Sequence, residues 1–386
     1  MKSATAVSSD QRLKVVCVVG ARPNFMKIAP IMRAFGRHGD AVETVLVHTG
    51  QHYDVEMNSR FFEQLRIPSP DISLEVGSGS HAVQTAEIMK RFESVIDSVS
   101  PDLVLVVGDV NSTIACALVA AKRDVRVVHV EAGLRSRDRR MPEEINRLLT
   151  DQLSDRLYVT EASAIDNLVA EGIPKEKAVF VGNVMIDTLL ASLPDAVPAD
   201  VTLRQSDTGA AAVSRSNGYA LVTLHRPSNV DDPEVFSGIL GALVDIADQL
   251  PIVFPMHPRT RGQIIRFGLE SFLSRPGVIA LPPQGYLEMA GLMREARVVL
   301  TDSGGVQEET TALGVPCLTL RENTERPITI EQGTNRLVGV DPIAIRAALD
   351  SALASGPIRA GRPALWDGRA AERIVDDLLH WAMSAR

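Results

Sequence analysis

The chain has 386 residues, too many for one hydrophobic core, and this length favours two domains. The apolar fraction of 45% is ordinary for a globular protein, and the net charge of −8 argues against a nucleic-acid-binding surface as the main function. Any phosphate chemistry must therefore come from local arginines. The three cysteines lie in apolar runs at wide spacing, which fits neither a disulfide framework nor a zinc site.

The N-terminal sequence M-K-S-A-T-A-V-S-S-D-Q-R contains no apolar segment of the signal-peptide type. No stretch of the chain approaches the roughly 18 apolar residues that a membrane span requires. We therefore expect a cytoplasmic protein that has neither a membrane nor a nucleic acid as its partner.

Short apolar runs alternate with helical patterns along the first half of the chain. The runs are continuously apolar, which is typical of parallel strands buried on both faces. The predicted strands are Lys14–Val19, Glu43–His48, Leu103–Val107, Val125–Val130, Arg156–Val159 and Ala178–Val181. The helices predicted between them include Asn24–His38, Ala82–Val99 and Ser112–Lys122. This alternation predicts a doubly wound α/β domain.

Residues 190–218 are rich in Ala, Ser, Pro, Asp and Gly, which predicts a linker or mobile loop. The alternation then resumes. Further strands are predicted at Tyr219–Leu224, Pro251–Phe254, Val278–Leu281, Val298–Leu300 and Cys317–Leu320. Further helices are predicted at Pro233–Gln249, Tyr286–Glu295, Val306–Leu313 and, at the end of the chain, Ala370–Met383.

The pattern as a whole predicts an α/β fold of two Rossmann-like domains that flank a cleft. We place the first domain at residues 1–183 and the second at residues 184–367. Ligands of open parallel sheets bind beyond the carboxyl ends of the strands. The loops that follow the strands are therefore where site residues are expected.

The clearest phosphate-binding pattern follows the strand that ends at Thr301, where D-S-G-G precedes a helix. Backbone N–H groups of Ser303, Gly304 and Gly305 could hold phosphate oxygens at the helix start. The same residues would also form an ordinary capped turn. Glu309, one turn into the helix, could accept hydrogen bonds from a ribose diol or merely favour the helix dipole.

Basic residues follow other strands. The sequence G-A-R-P after the first strand lacks the G-x-G-x-x-G fingerprint of dinucleotide binding. Arg22 is nevertheless placed to face a phosphate, and Lys27 lies one turn later. Arg321 and Arg326 could clamp phosphates from a later loop. Exposed surface charge is the alternative interpretation for each of these residues.

Acids and one histidine complete the candidates. Asp109 and Glu131 follow neighbouring strands, Glu143 follows Pro142 at a helix start, and His225 follows the first strand of the second domain. Each could instead cap a helix. Several acids at one site raise some pKa values, which allows one carboxyl group to act as an acid and another as a base. No cluster has metal-ligand spacing, so we expect no metal and no cofactor.

Taken in order, the loop motifs resemble the non-hydrolysing UDP-N-acetylglucosamine 2-epimerase family. The resemblance runs from about Val15 to Asp341. The motifs are G-A-R-P-N-F-M-K-I-A-P, H-T-G-Q-H-Y-D, G-D-V-N-S-T, H-V-E-A-G-L-R-S, M-P-E-E-I-N-R, V-G-N-V-M-I-D, H-R-P-S-N-V-D, T-D-S-G-G-V-Q-E-E and T-E-R-P.

This resemblance implies a fold like that of B-type glycosyltransferases, with a C-terminal helix in residues 368–386 that packs back on the first domain. It implies inversion at C2 of a UDP-2-acetamido sugar without nicotinamide. The C2 proton leaves, UDP is eliminated to give a glycal, and UDP then adds back with a proton on the opposite face. It also implies a homodimer and a product that enters surface polysaccharide or glycan synthesis.

The resemblance also assigns residues by motif. The acid/base candidates are Asp109, Glu131, Glu143 and His225. The UDP-binding candidates are Arg22, Ser303, Gly304 and Gly305 for phosphate, Glu309 for ribose, Arg321 as a further nucleotide-site residue, and Lys27 as the family's active-site lysine. Which acid removes the C2 proton is left open.

Two departures are Val110, which stands where a hydroxyl residue is common, and Ser228, which replaces a common glutamate. The sequences Q-H-Y-D and V-G-S-G-S-H-A-V-Q-T are similar to those of members that act on UDP-2,3-diacetamido-glucuronate. The alternative functions are a B-type glycosyltransferase, a hydrolysing 2-epimerase and a catalytically silent nucleotide-sugar sensor.

Overall fold

The structure is a computed structural model that describes residues 12–50, 61–206, 213, 218–354 and 361–384. The chain forms two compact units. The first comprises Met1–Thr188 together with Ala364–Arg386, and the second comprises Leu189–Pro363. Each unit is built on a parallel sheet with flanking helices, which confirms the predicted α/β class. No helix in these described ranges is long and apolar enough to cross a membrane.

The sheet of the first unit has seven parallel strands in the order β3-β2-β1-β4-β5-β6-β7. Its central strands β1 and β4 are almost wholly buried, as their unbroken valine and leucine runs require. The strands are β1 (Leu13–Val19), β2 (Val42–His48), β3 (Ile72–Ser73), β4 (Leu103–Val107), β5 (Arg126–Ala132), β6 (Arg156–Val159) and β7 (Ala178–Phe180).

Some of the helices that connect these strands begin with proline or with a capping serine. Pro142 stands at the start of its helix, and the hydroxyl oxygen of Ser80 accepts a hydrogen bond from the amide of Val83. The helices are α1 (Arg22–Gly36), α2 (His81–Val99), α3 (Asn111–Lys122), α4 (Pro142–Leu153), α5 (Ala162–Ala170) and α6 (Val184–Ser192). A 3-10 helix lies at Lys175–Lys177.

The terminal helix α15 (Ala370–Ser384) lies in the first unit. Its Asp377 accepts hydrogen bonds from both Nε and Nη2 of Arg156, at 2.9 and 2.6 Å, and from the hydroxyl of Tyr158 at 2.9 Å. At the start of the helix, Asp187 accepts the amides of Ala370 and Ala371. These polar contacts attach the terminal helix to β6 and to α6 of the same unit.

The second unit repeats the arrangement with six parallel strands in the order β10-β9-β8-β11-β12-β13. The strands are β8 (Ala220–Thr223), β9 (Ile252–Pro255), β10 (Val278–Leu281), β11 (Val298–Thr301), β12 (Cys317–Thr319) and β13 (Asn335–Leu337). The helices are α7 (Ala199–Leu203), α8 (Pro227–Val230), α9 (Pro233–Ala247), α10 (Pro258–Arg266), α11 (Tyr286–Glu295), α12 (Gly304–Leu313), α13 (Pro327–Glu331) and α14 (Pro342–Ala354).

Residues 190–206 of the predicted linker are folded. They complete α6, form a 3-10 helix at Leu193–Asp195, and continue into α7, whose Ala199 and Leu203 are buried in the core of the second unit. Helix α11 packs so closely here that a Cβ added at Gly291 would lie 1.8 Å from the carbonyl oxygen of Val197. Residues 207–212 and 214–217 of the predicted linker lie outside the described residues.

Both sheets change the direction of strand order at their centre, between β1 and β4 in the first unit and between β8 and β11 in the second. Loops diverge at such points and leave room beyond the carboxyl ends of the strands. The candidate residues after these strands are therefore placed by the topology of each sheet.

Candidate active site

Asn24 organises the loop after β1. Its side-chain oxygen accepts the amides of Gly20 and Ala21 at 3.1 and 3.2 Å, and its Nδ2 donates to the carbonyl oxygen of Val107 at 2.9 Å. Asn24 thereby ties the ends of β1 and β4 together across the topological switch point. Asn24 is not among the predicted site residues, although a polar side chain at the third position of a helix can bond back to the N-cap backbone.

Lys27 and Glu131 form a buried ion pair. Nζ of Lys27 lies 2.5 Å from Oε2 of Glu131, and the two side chains are only 6% and 3% exposed. A Cβ added at Gly108 would lie 2.7 Å from the same Nζ, so the glycine leaves space for the ammonium group. Surface charge, the alternative interpretation of Lys27, is therefore wrong.

Glu131 also has an unusual backbone. Its φ is +74°, and the pairing of β5 with β6 shifts register between Val130 and Ala132, so Glu131 is the extra residue of a β-bulge. A non-glycine residue in this region costs about 1–3 kcal/mol, and bulges commonly re-aim a side chain next to an active site.

Asp109 is paired with Arg147 of α4. Nη1 of the buried arginine lies 2.5 Å from Oδ2 of Asp109, and Asn146 donates from Nδ2 to the carbonyl oxygen of Asp109 at 2.8 Å. Helix α4 thus holds both the side chain and the backbone of the aspartate. Arg147 is not among the predicted site residues, although it is the last residue of the M-P-E-E-I-N-R motif.

The adjacent glutamates at the start of α4 differ in their contacts. Glu144 is buried and accepts hydrogen bonds from the amides of Ser136 and Arg137 and from Arg147. Burial alone would raise the pKa of Glu144, but these bonds outweigh it and hold the pKa below its ordinary value. Glu143 is half-buried, and within the described ranges its carboxylate makes no ion pair.

The remaining first-unit candidate is Arg22, which is the first residue of α1. It is half-buried, and its guanidinium lies 5.9 Å from the centre of the Phe61 ring. The Q-H-Y-D motif at residues 51–54 lies outside the described residues. In the part of the chain that the structure describes, no group of His, Cys, Asp and Glu side chains could hold a metal ion.

In the second unit, His225 is oriented by Asp302. Nδ1 of the half-exposed imidazole lies 3.1 Å from Oδ1 of the buried aspartate, which also accepts the amides of His225 and Arg226. Burial would raise the pKa of Asp302, but the bond from His225 and the backbone amides outweigh it and lower the pKa. The aspartate thereby fixes the orientation of the imidazole ring.

Helix α12 begins directly after this pair. Ser303 is its N-cap residue, and Gly304 and Gly305 form its first turn. A Cβ added at Gly304 would lie 2.6 Å from Oε1 of Glu325, which is paired with Arg321 at 2.9 Å. A second arginine, Arg226, lies 3.6 Å from the same carboxylate. Two guanidinium groups therefore flank the start of α12.

Glu309 lies one turn further along α12. It is buried and accepts a hydrogen bond from the hydroxyl of Tyr286 at 2.8 Å. Burial raises the pKa of Glu309 to about 7, although the bond from Tyr286 opposes the rise. Its neighbour Glu308 forms a buried ion pair with Arg326 at 2.7 Å.

The structure thus places the first-unit candidates on four different elements: Lys27 in α1, Asp109 in the loop after β4, Glu131 at the bulge of β5, and Glu143 at the start of α4. It places His225, Ser303, Gly304 and Gly305 at the ends of β8 and β11 in the second unit, with Glu309 and Arg321 on the following elements. Each group lies beyond the carboxyl ends of its own sheet. The roles assigned to these residues stay predictions.

Comparison with known proteins identifies the family. The model of the UDP-N-acetylglucosamine 2-epimerase family matches residues 35–379. The chain belongs to this family. The predicted family and the predicted enzyme class, an isomerase that epimerises carbohydrates, are thereby confirmed.

Individual members show how similar the chain is to the rest of the UDP-N-acetylglucosamine 2-epimerase family. A homologue of that epimerase from Methanococcus maripaludis is 45% identical over 329 residues, which cover 85% of this chain and 89% of the relative. The UDP-2,3-diacetamido-2,3-dideoxy-D-glucuronate 2-epimerase of Pseudomonas aeruginosa is 43% identical over 330 residues, which cover 85% and 88%. The crystal structure of the Methanocaldococcus jannaschii UDP-GlcNAc 2-epimerase with UDP-GlcNAc and UDP is 40% identical, has a TM-score of 0.85, and covers 95% of this chain and all of that chain.

Proposed function

We propose that this epimerase inverts C2 of a UDP-2-acetamido sugar without hydrolysis, by eliminating UDP to a glycal and adding it back. The observation that carries this proposal is the buried Lys27–Glu131 pair, held on a strained bulge beside the Asp109–Arg147 pair. A carboxylate that its ion-pair partner holds in a fixed position can accept the C2 proton once the substrate is bound beside it.

Glu143 has a different place in the proposed reaction. It lies at the start of the helix that carries Arg147, yet no cation pairs with it among the described residues. It can therefore take up and release a proton without breaking an ion pair. We assign it as the group that protonates C2 on one face, while Glu131 or Asp109 acts on the other.

The second unit would handle the leaving UDP. His225, held in position by Asp302, can donate a hydrogen bond or a proton to the developing negative charge. The amides of Ser303, Gly304 and Gly305 at the start of α12 suit the diphosphate, and Arg321 adds positive charge. An ionised Glu309 would accept hydrogen bonds from the ribose hydroxyls.

Two sugars are candidates within the proposed substrate class. UDP-N-acetylglucosamine is supported by the family and by the Methanocaldococcus jannaschii relative. UDP-2,3-diacetamido-glucuronate is supported by the Pseudomonas aeruginosa relative and by the Q-H-Y-D and V-G-S-G-S-H-A-V-Q-T sequences. We propose that the manno-configured product enters surface polysaccharide or glycan synthesis.

The test is incubation of the protein with each UDP-sugar in D2O, followed by proton NMR. We expect deuterium at C2 and a UDP-linked manno product with at least one of the two sugars. Substrate labelled with 18O in the bond between C1 and the diphosphate should also scramble its label, because free UDP can rotate before it adds back. An absence of deuterium exchange with both sugars would contradict the proposal. Free sugar as the sole product would instead indicate a hydrolysing epimerase.

A further inference from the structure

A buried histidine contacts the loop that carries Asp109. His129 of β5 is fully buried, and its Nε2 lies 2.8 Å from the carbonyl oxygen of Gly108. Its Nδ1 lies 2.7 Å from Oδ1 of Asp151, which is also fully buried. Gly108 is the residue directly before Asp109, so the imidazole holds the peptide from which that side chain extends.

The other oxygen of Asp151 contacts the loop that follows Glu131. Oδ2 accepts the amide of Gly133 at 3.1 Å and Nη2 of Arg135 at 2.6 Å. Gly133 has a φ of +77° and lies two residues after Glu131. The histidine and the aspartate therefore form one hydrogen-bonded bridge between the two loops that carry the paired acids of the first unit.

The bonding partners determine the charges in this bridge. Burial would raise the pKa of Asp151, but the bonds and charges of His129 and Arg135 outweigh it and lower the pKa, so the carboxylate is ionised. An ionised carboxylate and the carbonyl oxygen of Gly108 can only accept hydrogen bonds. The two ring nitrogens of His129 each face one of these acceptors, so the ring connects Asp151 to the carbonyl of Gly108.

Stability alone does not require such a bridge. Buried ion pairs replaced by apolar side chains of similar volume often leave proteins as stable or more stable. What an apolar pair could not do is fix the carbonyl of Gly108 and the amide of Gly133 at once. The strained backbone of Glu131 lies between His129 and Gly133 and needs support from its surroundings to persist.

We infer that His129 and Asp151 are positioning residues, which hold the carboxylates of Asp109 and Glu131 at the separation that proton transfer at C2 requires. This inference rests on the proposed function, because that function assigns the two carboxylates to proton transfer. Neither His129 nor Asp151 touches the substrate in this role. They act through the peptides on either side of the reacting groups.

The test compares Asp151→Asn and His129→Gln with the wild-type protein. Each variant is close in size to the original side chain; Asp151→Asn exchanges one accepting oxygen for a donating amide, and His129→Gln removes the ring that bonds on two sides. Because a misplacement of about 1 Å costs roughly a hundredfold in rate, we expect kcat for C2 exchange to fall about a hundredfold. We expect KM and the affinity for UDP to change less than about threefold, since the proposed diphosphate and ribose contacts lie mostly in the second unit.

The matched control is Asp377→Asn, which breaks another partly buried aspartate–arginine contact of the first unit, far from Asp109 in sequence. It should lower the melting temperature but leave kcat of the folded protein unchanged. Wild-type kcat in folded Asp151→Asn and His129→Gln would overturn the inference. If the wild-type protein itself shows no C2 exchange, the proposed function fails instead.

A measurement on the wild-type protein covers the case in which the variants do not fold. With 15N-labelled histidine, the chemical shifts of the His129 ring should show a hydrogen bond at each of its two nitrogens. A ring nitrogen of His129 without a hydrogen bond would overturn the bridge as described.

Discussion

The Lys27–Glu131 pair places two opposite charges where water barely reaches them. Each charge is tolerable only because the other is present, so removal of one partner leaves an uncompensated buried charge. Substitutions of Lys27 and Glu131, made separately and together, can therefore distinguish the contribution of the pair to stability from its contribution to catalysis.

We predict that Lys27→Met lowers the free energy of unfolding by about 3–5 kcal/mol, because the buried carboxylate loses its cation. Glu131→Gln should keep UDP affinity but lose most turnover. The double variant Lys27→Met/Glu131→Gln should recover much of the stability and none of the turnover. Urea unfolding and C2 exchange rates measure the two effects.

The control for this prediction is the exposed Glu87–Lys90 pair of α2, whose nitrogen and oxygen lie 2.8 Å apart. Removal of both of these charges should change stability by less than about 1 kcal/mol and leave turnover unaffected. Unimpaired turnover in Glu131→Gln would remove Glu131 from the acid/base set.

Glu309 gives a second prediction, on pH. Its pKa in the folded protein is about 7, above the ordinary value of 4.5, so the protonated form is favoured by folding. The stability that it contributes is fully present below pH 4.5 and is lost as the pH rises through 7. If the ionised form of Glu309 accepts hydrogen bonds from the ribose hydroxyls, UDP affinity should increase as the pH rises through 7.

We therefore expect UDP affinity to be about tenfold weaker at pH 6 than at pH 8, because only about a tenth of Glu309 is ionised at the lower pH. Calorimetric titration with UDP at both pH values measures this change. Glu309→Gln is the control for the titration of UDP itself, and in this variant UDP affinity should depend much less on pH. An equally steep profile in that variant would contradict the assignment.

The sequence identified which residues stand at the strand ends, but it could not identify their partners. Arg147 lies 38 residues from Asp109, Asp302 lies 77 residues from His225, and Asp151 lies 18 residues from Gly133. Such pairings depend on which strands are neighbours and in what register. The order of the motifs predicts the acids and the histidine, whereas the side chains that pair with them are identified only in the folded structure.

At the scale of the element, helix α12 gives the clearest prediction. The sequence placed its start at Val306, whereas the helix begins at Gly304, so both glycines lie in the first turn. Gly304→Ala should lower stability, because the new Cβ would lie 2.6 Å from Oε1 of the buried Glu325, which must then shift against its ion pairs with Arg321 and Arg226. It should weaken UDP binding roughly tenfold, because the methyl group stands between a diphosphate and the helix amides.

Gly241→Ala is the matched control for this substitution. Gly241 also lies in a helix, α9, where nothing is within 4 Å of an added Cβ. It should slightly raise stability and leave UDP affinity unchanged. Equal UDP affinity in wild-type protein and Gly304→Ala would argue against diphosphate binding at this helix start.

The strands whose bounds the sequence predicts well are those made of buried apolar residues. Strands β1, β4 and β10 begin and end within one residue of the prediction, because unbroken apolar runs leave little choice. The short strands β3 and β13 were missed, since two or three partly exposed residues carry no clear pattern. The composition of residues 190–206 predicts a linker, whereas the structure has short helices there, because alanine, proline and aspartate occur in both.

At the scale of the whole molecule, the alternation of apolar runs and helical patterns was enough to predict two parallel sheets. The two sheets share one strand order through their first six strands, and each places its candidate residues at its own switch point. Homodimer formation and a cytoplasmic location stay predictions from the family resemblance and from the N-terminal sequence.

The return of the chain to the first unit has a consequence for biosynthesis. Helix α15 buries Ile374, Val375 and Leu378, yet these residues are translated after the entire second unit. At about 5–20 residues per second, the ribosome needs roughly 10 to 35 seconds to traverse Leu189–Pro363. During that interval the nascent first unit exposes an apolar surface that only the last residues of the same polypeptide can cover, which makes it a natural client for chaperones.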